Sequence, residues 1–184
     1  YFLKKYLLNF IIRFNLFRNK DTSLWSLHIS DNNKPFIKNS KTIINKSIRI
    51  IPPINSEWAD PFIFPYKDKE YVFFENNDLI VNKGKISCGE LDQNKLINIK
   101  DILNFKFHLS YPFIWKYNDN FFLIPETSEK KSIHIWKAKK FPNKWYFFKT
   151  VLKGEFCCDT TILQDKSKNN WLLTNKSNDQ SNDP

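Results

Sequence analysis

Apolar residues are spaced in two different ways along this chain. In the first 17 residues (YFLKKYLLNFIIRFNLF) Leu3, Leu7, Leu8, Ile11, Ile12 and Leu16 recur at the spacing of one helical face, interrupted by Lys4, Lys5 and Arg13. The stretch is too short and too charged to read as a membrane span. Its two readings are a helix that packs on a neighbouring domain and a basic amphipathic helix lying at a membrane surface. From Leu24 onward the helical period disappears. Short runs rich in Ile, Phe, Tyr and Trp alternate with Asn, Asp and Lys clusters, the pattern of many short strands.

These runs repeat. Residues 60–64 (DPFIF), 111–115 (YPFIW) and 159–163 (DTTIL) start 51 and 48 residues apart. Each is followed by a polar turn, at 67–70, 118–120 and 165–170, and then by a second apolar run that ends on a polar residue. The second runs are 71–75 (YVFFE), 121–126 (FFLIPE) and 171–175 (WLLTN). From the first residue of the pair to the last is 15, 15 and 16 positions. A third run at 85–91 and 132–137, and a fourth at 96–103 and 145–152, complete the first two units. Four short antiparallel strands in a unit of about 40–50 residues make the blade of a β-propeller. The fold expected is therefore all-β, an incomplete five-bladed propeller with about two and a half blades present and a short N-terminal helix. Residues 1–20 form the helix or the remnant of a preceding domain, and 21–184 the partial propeller, truncated at its C-terminus because a closed ring takes at least about four blades. Residues 25–30 and 48–51 read as strands ahead of the first full blade.

The repeat has a chemical consequence. In a blade the first strand lines the channel and the second runs antiparallel beside it, so the start of one and the end of the other share a rim. Asp60 is thereby gathered with Glu75, Tyr111 with Glu126, and Asp159 with Asn175. Carboxylates crowded on one concave rim repel one another, and such clusters mark sites for polyhydroxylated ligands, cations or acid–base chemistry. Trp58 and Tyr111 offer aromatic faces for a sugar ring, and His108 and Ser110 offer hydrogen bonds. His28 and His134, inside strand-like runs, read as structural. Tyr117, Trp136 and Trp145 suit packing between blades.

Composition changes this picture little. The formal net charge of +10 comes almost wholly from Lys dispersed among Asn and Ile, with no Arg-rich helix or basic Gly-rich loop, so nucleic acid is not expected as a partner. Cys88, Cys157 and Cys158 form neither a disulfide framework nor a zinc-binding spacing, and read as small buried hydrophobes in a reducing, cytoplasmic setting, with membrane association through residues 1–18 as the alternative. No phosphate-binding loop, Ser-His-Asp arrangement or metal-ligand spacing is visible, so no cofactor and no metal are expected.

One set of motifs adds a resemblance. Residues 58–62 (WADPF), 71–75 (YVFFE), 108–113 (HLSYPF), 125–126 (PE), 141–145 (FPNKW) and 159–161 (DTT) together resemble the N-terminal domain family of glucosamine inositolphosphorylceramide transferase, over about residues 25–175. That domain is similar to the five-bladed propellers of arabinanases, invertases and levansucrases. The resemblance implies glycosyl chemistry carried by channel-facing carboxylates. Asp60 matches the base or nucleophile position. Tyr111 stands where a hydrolase often has Asp, Asp159 stands where the acid Glu is expected, and Glu126 offers the acid from a different strand. The expected function is recognition of a sugar or glycoconjugate within a larger protein of glycan assembly or modification, with further domains. Asp60, Glu126 and Asp159 would bond hydroxyls, with Trp58, Glu75, His108, Ser110 and Tyr111 around them. The alternatives are a glycosidase or glycosyl-transferring enzyme, with Asp60 as base or nucleophile, Glu126 as acid and Asp159 orienting, and a structural or protein-interaction propeller with its rim carboxylates neutralised by Lys.

Overall fold

A computed structural model describes residues 25–30 and 36–177. The amphipathic segment expected over residues 1–20 lies outside the described residues. The described chain is built from antiparallel strands and one helix. Strands β1 (Leu27–Ile29) and β2 (Ile48–Ile50) pair with each other and are joined through α1 (Phe36–Asn45). Four strands then form a meander, β3 (Ser56–Tyr66), β4 (Lys69–Asp78), β5 (Lys83–Asp92) and β6 (Lys95–Leu103). A second meander repeats it with β7 (Ser110–Tyr117), β8 (Asn120–Glu126), β9 (Ser132–Lys140) and β10 (Lys144–Lys153). The third unit supplies β11 (Phe156–Gln164) and β12 (Asn170–Ser177), paired with each other. Each run expected from the repeat falls inside one of these strands.

Helix α1 corrects the reading that no helical segment follows Leu24. The apolar positions of its sequence, 36, 37, 43 and 44, have the spacing of one helical face, but Ile and Thr also favour strands, so a ten-residue segment gives an ambiguous signal. Among the described residues no helix is long and apolar enough to cross a membrane.

The three units stack. Strand alternation sends Val72 and Phe74 of β4 to one face, where they meet Leu27 and Trp58, and sends Phe73 to the other, where it joins Ile86, Cys88, Leu103, Leu109, Ile114, Leu123 and Trp136. Likewise, Leu123 of β8 faces the first sheet while Ile124 faces Ile133, Ile135 and Cys157 on the side of β11. β7 lies against β3 and β4, and β11 against β7 and β8, so the first strand of each later unit packs upon the first two strands of the unit before it. Phe141, in the β9–β10 turn, closes the end of the first two sheets near the β3–β4 turn. Its ring stacks on Phe121 at a centroid distance of 4.2 Å and meets Tyr66, Phe64 and Tyr71. Trp145 is pinned beside it by an indole N–H donated to the Pro142 carbonyl at 2.6 Å.

Candidate functional site: an acidic cluster at the strand starts

The repeat in sequence is a repeat in backbone irregularity. In β3 the pairing to β4 slips by one residue after Ala59, in β7 to β8 after Ser110, and in β11 to β12 after Cys158. Ala59 pairs with Glu75, Ser110 with Glu126 and Cys158 with Asn175, and each slip leaves one extra residue on the first strand just past that pair; only Glu126 ends its strand, since β4 runs on to Asp78 and β12 to Ser177. The extra residue is Asp60, Tyr111 or Asp159, with φ of 49°, 43° and 52° respectively. Positive φ is unfavourable for residues with a side chain, and least so for Asn and Asp. A bulge of this kind re-aims the side chain out of the regular alternation.

Carboxylates and the bulges hold one another. Asp60 Oδ2 accepts a hydrogen bond from the Tyr111 backbone N–H at 3.1 Å, and Glu126 Oε2 accepts one from the Asp159 N–H at 3.4 Å. Each bond crosses from one sheet to the next. Asn175 donates from Nδ2 to Asp159 Oδ2 at 3.2 Å, and the Tyr111 hydroxyl meets Thr161 Oγ1 at 3.3 Å. Glu75 Oε1 is 3.1 Å from His108 Nε2, while His108 Nδ1 accepts the Gly84 N–H at 3.0 Å. In the neutral ring these two contacts place the imidazole proton on Nε2, facing Glu75.

The electrostatics follow from burial and crowding. Asp60 is pushed above the usual carboxylate range, first by burial and then by the neighbouring charges of Glu75 and Asp159, against the pull of the Tyr111 N–H. Glu126 is pushed up to about 7, chiefly by burial and further by Asp159, with the Asp159 N–H and His108 working the other way. His108 is raised by its hydrogen bond to Glu75, against its own burial. Among the described residues none of these four carboxylates is paired with a lysine. Among them, too, no three His, Cys, Asp or Glu side chains are arranged to hold a metal ion.

Asp60, Glu75, His108, Tyr111, Glu126 and Asp159 are thus brought together, with Ser110 paired opposite Glu126 on the same strand start. Trp58 is placed elsewhere. It is 4% exposed, its ring lies 4.8 Å from that of Phe74, and its indole N–H donates to Asn76 Oδ1 at 3.2 Å. Its face is spent on the core between the first sheet and β1, because Trp58 precedes the bulge and follows regular alternation. Gly84 is a site residue that the sequence reading missed. A Cβ there would collide with the Leu109 carbonyl oxygen and lie 2.8 Å from both Glu75 Oε1 and His108 Cε1. With only 3 glycines in 184 residues, its isolation was the available signal.

The molecule is therefore an all-β chain of repeated antiparallel meanders that share an acidic cluster at the bulges of their first strands. It belongs to the family described as glucosamine inositolphosphorylceramide transferase 1, N-terminal, whose model matches residues 41–183. The chain is 34% identical over 108 residues to glucosamine inositolphosphorylceramide transferase 1 of Oryza sativa subsp. indica, covering 58% of this chain and 14% of that protein. It is 33% identical over 117 residues to the protein of the same name from Arabidopsis thaliana, covering 62% of this chain and 15% of the relative. The matched part thus spans about a seventh of those relatives. No solved structure matches the chain.

Proposed function

We propose that this chain is part of a five-bladed propeller whose strand starts bind the sugar portion of a glycoconjugate, within a protein of glycan assembly. The observation that carries the reading is the thrice-repeated bulge. It turns Asp60, Tyr111 and Asp159 out of the strand alternation at equivalent places, with Glu75 and Glu126 beside them. Carboxylates that accept from backbone N–H groups keep a second oxygen for ligand hydroxyls, and charge-assisted hydrogen bonds to hydroxyls are among the stronger polar contacts available. Tyr111 supplies a phenol at the same place. The stacking of β3, β7 and β11 as successive inner strands suits a radial arrangement. The relatives' name joins glucosamine, inositolphosphorylceramide and a transferase, which fits a sugar-bearing lipid as the class of ligand.

A second reading has one observation in its favour. Glu126 held at about 7 could deliver a proton to a leaving oxygen at neutral pH, as a general acid requires. Asp60 would then act as base or nucleophile and Asp159 would orient.

Glycan-array binding and turnover by the complete protein, compared with Asp60→Asn and Glu126→Gln, test both. The first reading expects binding of a sugar ligand to weaken by about tenfold or more in each variant, the loss of one charge-assisted bond. The second expects Glu126→Gln to remove turnover while binding persists. Binding and turnover unchanged in both variants would remove these residues from any site.

A further inference from the structure

Away from the acidic cluster, α1 and β2 carry a different chemistry. Between Asp31 and Glu57 the chain has no acidic residue, while Lys38, Lys41 and Lys46 are all exposed. Interspersed with them are isoleucines that the fold leaves in water: Ile44 is 60% exposed, Ile51 58% and Ile54 78%. Lys38, Lys41 and Ile44 follow one another at three-residue steps along α1, so the cations and the apolar side chain share one side of the helix. The helix is held to β1 by Ser47, which bonds His28 Nδ1 at 3.1 Å and the Ile44 carbonyl at 2.7 Å.

From this juxtaposition we infer that the segment from α1 through residue 54 is a docking surface for an anionic lipid membrane. Lysines attract acidic headgroups, and aliphatic side chains beside them enter the boundary between headgroups and acyl chains. A nucleic acid would be drawn by the same cations, but its phosphate and base surfaces give exposed isoleucines nothing to enter. The isoleucines therefore favour lipid. This surface is distinct in sequence from the acidic cluster and does not depend on the sugar reading.

The test is co-sedimentation of the full 184-residue chain with vesicles of phosphatidylserine and phosphatidylcholine, against pure phosphatidylcholine. Binding is expected only to the anionic vesicles and should collapse in about 1 M salt, where the screening length falls to about 3 Å. Each lysine near an anionic surface is worth about fivefold in partitioning, so Lys38→Gln/Lys41→Gln/Lys46→Gln should weaken it by about a hundredfold. Ile44→Ser/Ile54→Ser should weaken it further at fixed charge. Both variants alter exposed side chains only, and circular dichroism verifies that their sheets persist. The control Lys4→Gln/Lys5→Gln/Arg13→Gln should retain most of the binding. Equal binding to neutral vesicles, a lysine variant that binds as the parent does, or loss confined to the control each overturns the proposal. So does a chain that ignores vesicles yet binds a duplex oligonucleotide in a manner abolished by the lysine variant.

Discussion

Glu126, Asp60 and His108 all titrate in the same sense, and this gives the site a pH signature. Each is held above its ordinary value, Glu126 up to about 7, so each folded group binds a proton more tightly than its unfolded counterpart. Stability therefore falls as pH rises through these folded values, and for Glu126 the window runs from its ordinary 4.5 to about 7. We expect the thermal midpoint to be higher at about pH 5.5 than at about pH 8, measured by circular dichroism. In Glu126→Gln the amide oxygen can still accept the Asp159 N–H without carrying the buried charge. This variant should gain about 1 kcal/mol at about pH 8, allowing for partial exposure, and should lose that advantage near about pH 4.5. A stability profile that rises through neutral pH would refute the assignment. Gly84→Ala makes a steric prediction at the same scale. Its Cβ meets a backbone carbonyl that cannot swing aside, so the cost should be about 2–3 kcal/mol in urea unfolding. The His108 titration seen by NMR should shift downward as its contact with Glu75 is displaced.

At the scale of elements, the chain binds its sheets together at both ends by different means. At the strand starts the links are polar: Asp60 to the Tyr111 N–H, and Glu126 to the Asp159 N–H. At the far end of β3 and β4 they are aromatic, with Phe141 set among Phe64, Tyr66, Tyr71, Phe73 and Phe121. Phe141→Ala should cost about 3 kcal/mol, the usual loss when a packed phenyl ring is removed. Because the ring belongs to the second sheet and its partners to both, the transition should also broaden as the two sheets uncouple. Trp58→Ala belongs to the same class. Buried against Phe74, Leu27 and Val72, its loss should cost about 3–5 kcal/mol, while glycan binding by whatever protein remains folded should be unaffected.

Over the whole molecule, burial is uneven. The first two sheets enclose a core that includes Phe73, Leu109, Leu123 and Trp136, whereas Trp171, Leu172 and Leu173 of β12 are largely exposed. Among the described residues β12 pairs with β11 alone and carries these exposed apolar side chains, a combination that favours strand-to-strand association wherever nothing else covers it. Leu172→Lys should therefore raise the monomeric fraction of this 184-residue chain in size-exclusion chromatography with light scattering. An unchanged distribution would show that the β12 surface takes no part in self-association.

Periodicity in the sequence determined most of this. The spacing of Asp60, Tyr111 and Asp159 announced three like units, and polar turns between apolar runs marked the strands to within a few residues, because strand alternation and turn chemistry are local. The same spacing put Glu75 and Glu126 beside them, since antiparallel pairing follows from a short turn. Tertiary structure alone decided the rest. The left-handed bulges that re-aim Asp60, Tyr111 and Asp159 are properties of pairing between strands, which no single strand records. Trp58 reads like a sugar platform from its neighbours in the chain, yet the side of β3 on which it falls, and the presence of Phe74 and Leu27 there, make it core. Gly84 carries meaning only because His108 and Leu109, far along the chain, close over it. Local pattern fixes elements; the fate of a side chain depends on what distant residues bring to its face.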